Sequence, residues 1–152
     1  MVNMNDRMKK LLQESRKTEE VSKINQLSKD VVNRTKLIRD CIIFDETGEI
    51  DETKINFNQI LKFVKDWTGY EISCNELKFS KKEIPSNDFL YFTERLNINL
   101  SEKYEGRKFG IIISIIDEKI DLRFHTYREK EGLWLDKDLN KYNNPILYRV
   151  EL

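Results

Sequence analysis

Glycine, proline, cysteine and histidine are all scarce in this chain: five, two, two and one among 152 residues. The glycines are isolated, so neither a G-x-G-x-x-G fingerprint nor a P-loop is formed, which argues against the common nucleotide enzymes. Cys41 and Cys74 are too few and too far apart for a disulfide framework, and with one histidine they make a poor zinc set. Both are expected to be reduced, buried small hydrophobes. No CxxC, HExxH or GxSxG pattern occurs, so no metal, no cofactor and no familiar nucleophile is implied. Net charge is lacking too. Lys and Arg number 27 and Asp and Glu number 27, which leaves no whole-molecule field to draw in nucleic acid or an anionic membrane. No segment approaches the roughly 20 apolar residues of a membrane span. Residues 1–20 hold five basic side chains and no apolar stretch suited to a secretory signal, so a cytoplasmic location is expected. The Lys, Asn and Ile content matches the bias of an AT-rich bacterial genome.

What is present is a central hairpin, residues 109–127. Ile111, Ile112, Ile113, Ile115 and Ile116 form a nearly unbroken β-branched run, which implies a strand covered on both faces or central in its sheet. After a polar turn at Asp117, Glu118 and Lys119, the chain alternates. Ile120, Leu122, Phe124 and Thr126 share one face and Asp121, Arg123, His125 and Tyr127 the other.

Residues 3–40 contain no Gly or Pro and carry apolar residues at helical spacing, which predicts one long helix or two in succession, with Thr18 a candidate cap for the second. Residues 42–50 suggest a small hairpin turning at Asp45-Glu46-Thr47-Gly48, or a loop between helices. Residues 54–68 predict a helix capped by Asp51 or Thr53, lined by Phe57, Ile60, Leu61, Val64 and Trp67, closed by Gly69 and lying over the core of the hairpin. Strand-like alternation follows at Tyr70 and Ile72 and at Leu77 and Phe79. Residues 88–100 fit a helix or a strand, and the alternation of Leu90, Phe92, Leu96, Ile98 and Leu100 with Asn97 and Asn99 favours a strand. A short piece at Leu133–Leu135 and a strand from Ile146 to Val150 complete the chain. The expectation is one α+β domain over residues 1–152: a helical segment at 1–40, a helix at 54–68, and a four- or five-stranded antiparallel meander over about 90–151, with the N-terminal helices on one sheet face.

Charge is segregated along this chain. Residues 3–40 hold ten basic and six acidic side chains, a net of +4, and the next segment answers with Asp45, Glu46, Glu49, Asp51 and Glu52. The glycine in that acidic stretch is misplaced for an EF-hand, so a calcium loop is rejected. Five carboxylates so close together suit docking onto a basic partner, although a solvated loop has the same composition. A second, weaker surface is the polar strand face with Arg123, His125 and Tyr127, joined by Trp134; Tyr142 and Tyr148 are further aromatics of the type that anchors interfaces. Three readings follow. The first is a non-catalytic protein-binding module, an inhibitor or immunity protein neutralising a bacterial toxin through direct contact with a basic toxin domain. The second is a small enzyme with His125 as acid or base beside Arg123 and Tyr127. The third is a nucleic-acid-binding regulatory module using the basic N-terminal helices.

Overall fold

The computed structural model describes residues 1–14 and 21–152. Its elements are β1 (Val2–Met4), α1 (Asp6–Gln13), α2 (Val21–Asn33), β2 (Thr35–Ile38), β3 (Cys41–Phe44), α3 (Phe57–Phe63), α4 (Trp67–Cys74), β4 (Glu76–Phe79), α5 (Phe89–Lys103), β5 (Phe109–Ile116), β6 (Lys119–Thr126) and β7 (Ile146–Val150). Five strands form one antiparallel sheet in the order β1-β7-β5-β6-β4, and β2 with β3 forms a separate two-stranded sheet. The architecture is α+β, with α1, α2 and α5 on one face of the large sheet. The large sheet is not a meander, because among its described strands only β5 and β6 are neighbours in both sequence and space.

The central hairpin forms as its pattern dictates. Ile116 faces Lys119 across a two-residue turn, and Asp117 and Glu118 both adopt positive φ, 50° and 64°, as the tightest hairpin turn requires. Ile111, Ile113, Ile120, Leu122 and Phe124 enter the main core with Phe89, Phe92, Leu96 and Leu100 of α5. Ile112 points the other way, into a second core with Ile72, Leu139, Ile146, Tyr148 and Val150. The isoleucine run is continuous because both faces are covered.

Several expectations are corrected. Residues 89–103 form a helix instead of the expected strand. Phe89, Phe92, Thr93, Leu96 and Leu100 recur at helical spacing and are buried, whereas Leu90 is exposed. The buried Asn97 and Asn99 are tolerated because their amides donate to Glu151 Oε1 at 2.6 Å and Ser28 Oγ at 2.8 Å. It is α5, with α2, that covers the main core; α3 packs instead with Ile38, Cys41 and Ile43 of the small sheet, and α4 spans the two, with Tyr70 against the small sheet and Ile72 in the second core.

The helix expected over residues 54–68 is split. Asn56 caps α3 and Asp66 caps α4, each accepting from an amide three residues on, while Val64 between them is extended. Asp51 caps only a single 3-10 turn, Glu52–Lys54. Gly69 does not close a helix; it lies inside α4, where a β-carbon would stand 3.3 Å from the Trp134 ring. Tyr70 and Ile72 belong to α4 and not to a strand. Upstream, the described residues of the run 3–40 hold the helices α1 and α2, the second stopping at Asn33; Asn3 and Met4 belong to β1, and Thr35 and Ile38 enter β2. The hairpin therefore lies earlier than residues 42–50, turning at Arg39-Asp40 with Arg39 at φ 53°. The short piece at Leu133–Leu135 has no regular secondary structure. Thr18, the candidate cap of the second helix, lies outside the described residues.

Candidate functional site

Asp45 organises the acidic stretch. It is buried, pairs with Lys36, and accepts the amides of Gly48 at 2.9 Å and Ile50 at 3.1 Å. These contacts, the Lys36 hydrogen bond first, hold its carboxyl below the usual range. Asp51 accepts from the amide and the hydroxyl of Thr53, and Glu52 accepts the Arg39 amide at 3.1 Å. The loop is thus tied to the turn and first strand of the small hairpin. Glu46, Glu49, Asp51 and Glu52 are exposed beside Ile50, and Leu37 of β2 is 51% exposed. Four of the five expected docking carboxylates therefore face solvent, and the fifth fixes the loop.

A second constellation escaped the reading of the sequence. Glu71 and Asn75 sit one turn apart on α4 and at its C-cap, between β3 and the end of β6, Phe124–Thr126, that runs past its pairing with β4. Glu71 accepts the Ile42 amide at 2.6 Å, the Thr126 amide, and the Thr126 hydroxyl at 3.0 Å. Asn75 accepts the Phe44 amide at 2.7 Å and donates to the carbonyls of Ile42 at 2.7 Å and Phe124 at 3.1 Å. Two side chains thus do the work of a missing strand and join the two sheets. Burial pushes the Glu71 carboxyl up, and Arg128, whose Nη1 donates to Glu71 Oε1 at 3.1 Å, pulls it back together with the amides. Arg128 also donates to the Asp40 carbonyl at 2.9 Å, as does Arg107, so the hairpin turn is clamped as well. Burial, with the Glu71 charge beside it, pushes the Cys41 thiol up to about 12, which makes it a poor nucleophile. A carboxylate inside an otherwise apolar helix was the available signal, and reading Tyr70 and Ile72 as a strand concealed it.

The polar strand face is mostly enclosed. His125 is fully buried: Nδ1 lies 2.7 Å from the Thr126 carbonyl and Nε2 2.7 Å from the Tyr148 hydroxyl. Nδ1 must donate to the carbonyl, so Nε2 accepts from Tyr148, and neither nitrogen is left for a substrate or a partner. The expectation that His125 contributes to a surface is corrected accordingly. Asp121 is buried and pairs with Lys78 and Arg123, and Arg123 also reaches Glu76 at 3.2 Å. These are cross-strand charge pairs, with Glu76 opposite Arg123 and Lys78 opposite Asp121. Tyr127 is half-buried against the second core, and Trp134 is 39% exposed over Gly69. The structure therefore does not bring Arg123, His125 and Tyr127 together around a shared cavity. Among the described residues no cluster of three or more His, Cys, Asp or Glu could hold a metal ion, and no helix is long and apolar enough to cross a membrane.

The chain belongs to the Uncharacterized protein PM0498 family, whose model matches residues 3–151. No curated protein and no solved structure matches it.

Proposed function

We propose that this protein is a non-catalytic binding module, an inhibitor or immunity protein that neutralises a bacterial toxin by direct contact, and that residues 45–52 form its docking surface. The observation that carries the reading is the rigid presentation of Glu46, Glu49, Asp51 and Glu52 by a buried Asp45. A loop already fixed in shape loses little conformational freedom on binding. Its exposed carboxylates would steer a basic partner, and Ile50 supplies apolar area among them.

The test is to purify the tagged chain from its native cell, identify the protein that comes with it, and measure the affinity of that pair. The comparison variant carries Glu46→Gln, Glu49→Gln, Asp51→Asn and Glu52→Gln, which keep an acceptor oxygen at each position. Expected are a loss of affinity of about tenfold or more and a flatter salt dependence, with the partner toxic alone and harmless when co-expressed with the wild type. Unchanged affinity, or a partner without toxicity, overturns the reading.

A further inference from the structure

The outer edge of β4 borders a groove, and the register settles which of its main-chain groups are free. The Tyr127 amide donates to the Lys108 carbonyl at 2.7 Å, and Ile115 donates away from β6, to Pro145, at 3.2 Å. In β6, therefore, Asp121, Arg123 and His125 turn their N–H and C=O towards β5, and Ile120, Leu122, Phe124 and Thr126 turn theirs the other way. The bonds from Phe124 and Thr126 to Asn75 and Glu71 agree. Leu77 and Phe79, opposite Leu122 and Ile120, thus bond to β6, and Glu76 and Lys78 present two N–H and two C=O groups outwards. No hydrogen bond is made by those four groups among the described residues.

The groove beside this edge has a volume of about 470 Å³ and runs between β4, α2 and the end of β3. Leu27, Phe44 and Leu77 give it an apolar floor, partly exposed. Asp30, Glu46 and Glu83 line its walls against the single cation Arg34, since Lys78 and Glu76 are engaged with each other and with Asp121 and Arg123. The opposite sheet edge, β1, differs: its pocket is smaller, about 210 Å³, and carries Lys9 and Lys137 against Asp138.

We propose that the free edge of β4 receives an extended basic segment of a partner protein, which adds to the large sheet as a further antiparallel or parallel strand. The ladder to Glu76 and Lys78 supplies affinity, the apolar floor takes alternate side chains, and the carboxylates select lysine or arginine at the positions between. The assignment builds on the docking role proposed for the acidic loop, because Glu46 lies in both, and it adds the form in which the partner arrives.

The probe is an end-capped eight-residue peptide of alternating lysine and valine, titrated into the isotope-labelled full chain and followed by NMR. Expected are shifts and slowed exchange at the Glu76 and Lys78 amides, and no binding of the glutamate–valine counterpart. Lys78→Pro removes an N–H that the β4–β6 ladder does not use, so it should keep the fold and weaken the peptide about tenfold, whereas Lys78→Ala changes affinity little. Should the proline variant fail to fold, Glu46→Lys with Glu83→Lys serves in its place and should transfer binding to the glutamate–valine peptide. Absence of binding at millimolar peptide, or binding that leaves those two amides unmoved, overturns the proposal. Glu49→Gln, Asp51→Asn and Glu52→Gln lie outside the groove and separate the two ideas: a native partner sensitive to them but not to Lys78→Pro leaves the loop reading standing and removes strand addition, and the reverse pattern does the opposite.

Discussion

At the scale of single residues, His125 has the most definite chemistry. Its place in the sheet depends on Gly110 directly opposite, where a β-carbon would stand 2.2 Å from Nε2. Burial pushes its pKa from 6.5 down to about 4, with the Thr126 carbonyl resisting. Above pH 6.5 neither folded nor unfolded chain carries the proton, and the contribution to stability is complete. Below 6.5 the unfolded chain takes up a proton that the folded chain refuses until about 4, so stability falls through that window, by about 3 kcal/mol in all. Urea denaturation of the wild type at about pH 7.5 and pH 4.5 should show this loss, and His125→Asn should shrink the difference between the two conditions by about 2 to 3 kcal/mol. An equal difference in both proteins would mean that His125 titrates alike in the folded and unfolded chains and that its burial does not depress its pKa.

At the scale of elements, the break between α3 and α4 is a capping event. Asp66 accepts the Gly69 amide at 2.8 Å and starts a helix that a continuous apolar stripe would have run through. Asp66→Ala should lower stability by about 1 kcal/mol, measured as a shifted denaturation midpoint with unchanged slope, and leave Asn56 as the cap of α3. The same balance explains what could be read from residues alone. The β5–β6 hairpin was legible because one period of two runs through Ile120, Leu122 and Phe124 and a polar pair sits between the runs. In α5 both periods are satisfied in part, and the decision lay in Asn97 and Asn99, whose partners Glu151 and Ser28 are distant in sequence. Caps at Asn56 and Asp66 were written in residue types, yet the apolar spacing across them pointed to one helix. Of the candidate surface, the acidic loop was legible as composition, while the burial of Asp45 and of His125 depended on chain segments that only the fold brings near.

At the scale of the whole molecule, the two sheets share no strand ladder and are joined through Glu71 and Asn75. The acidic loop hangs from the small sheet through Lys36 and Arg39, whereas the free edge of β4 belongs to the large one. Any partner that touches both therefore reads the angle between them, which α4 sets. Native-state hydrogen exchange measures how firmly that angle is held. In the wild type the Ile42 and Phe44 amides donate to side chains on α4, and the amides inside the β5–β6 ladder donate to backbone. Asn75→Ala removes one bridge and takes the Asn75 partner from the carbonyls of Ile42 and Phe124 and from the amide of Phe44, at a cost of about 1 to 3 kcal/mol. Exchange at Ile42 and Phe44 should then quicken about tenfold or more, while Ile112 and Arg123 quicken only as far as global stability falls. If all four amides quicken by one common factor, the two sheets open as a single cooperative unit and the small sheet is not a separately hinged carrier of the loop.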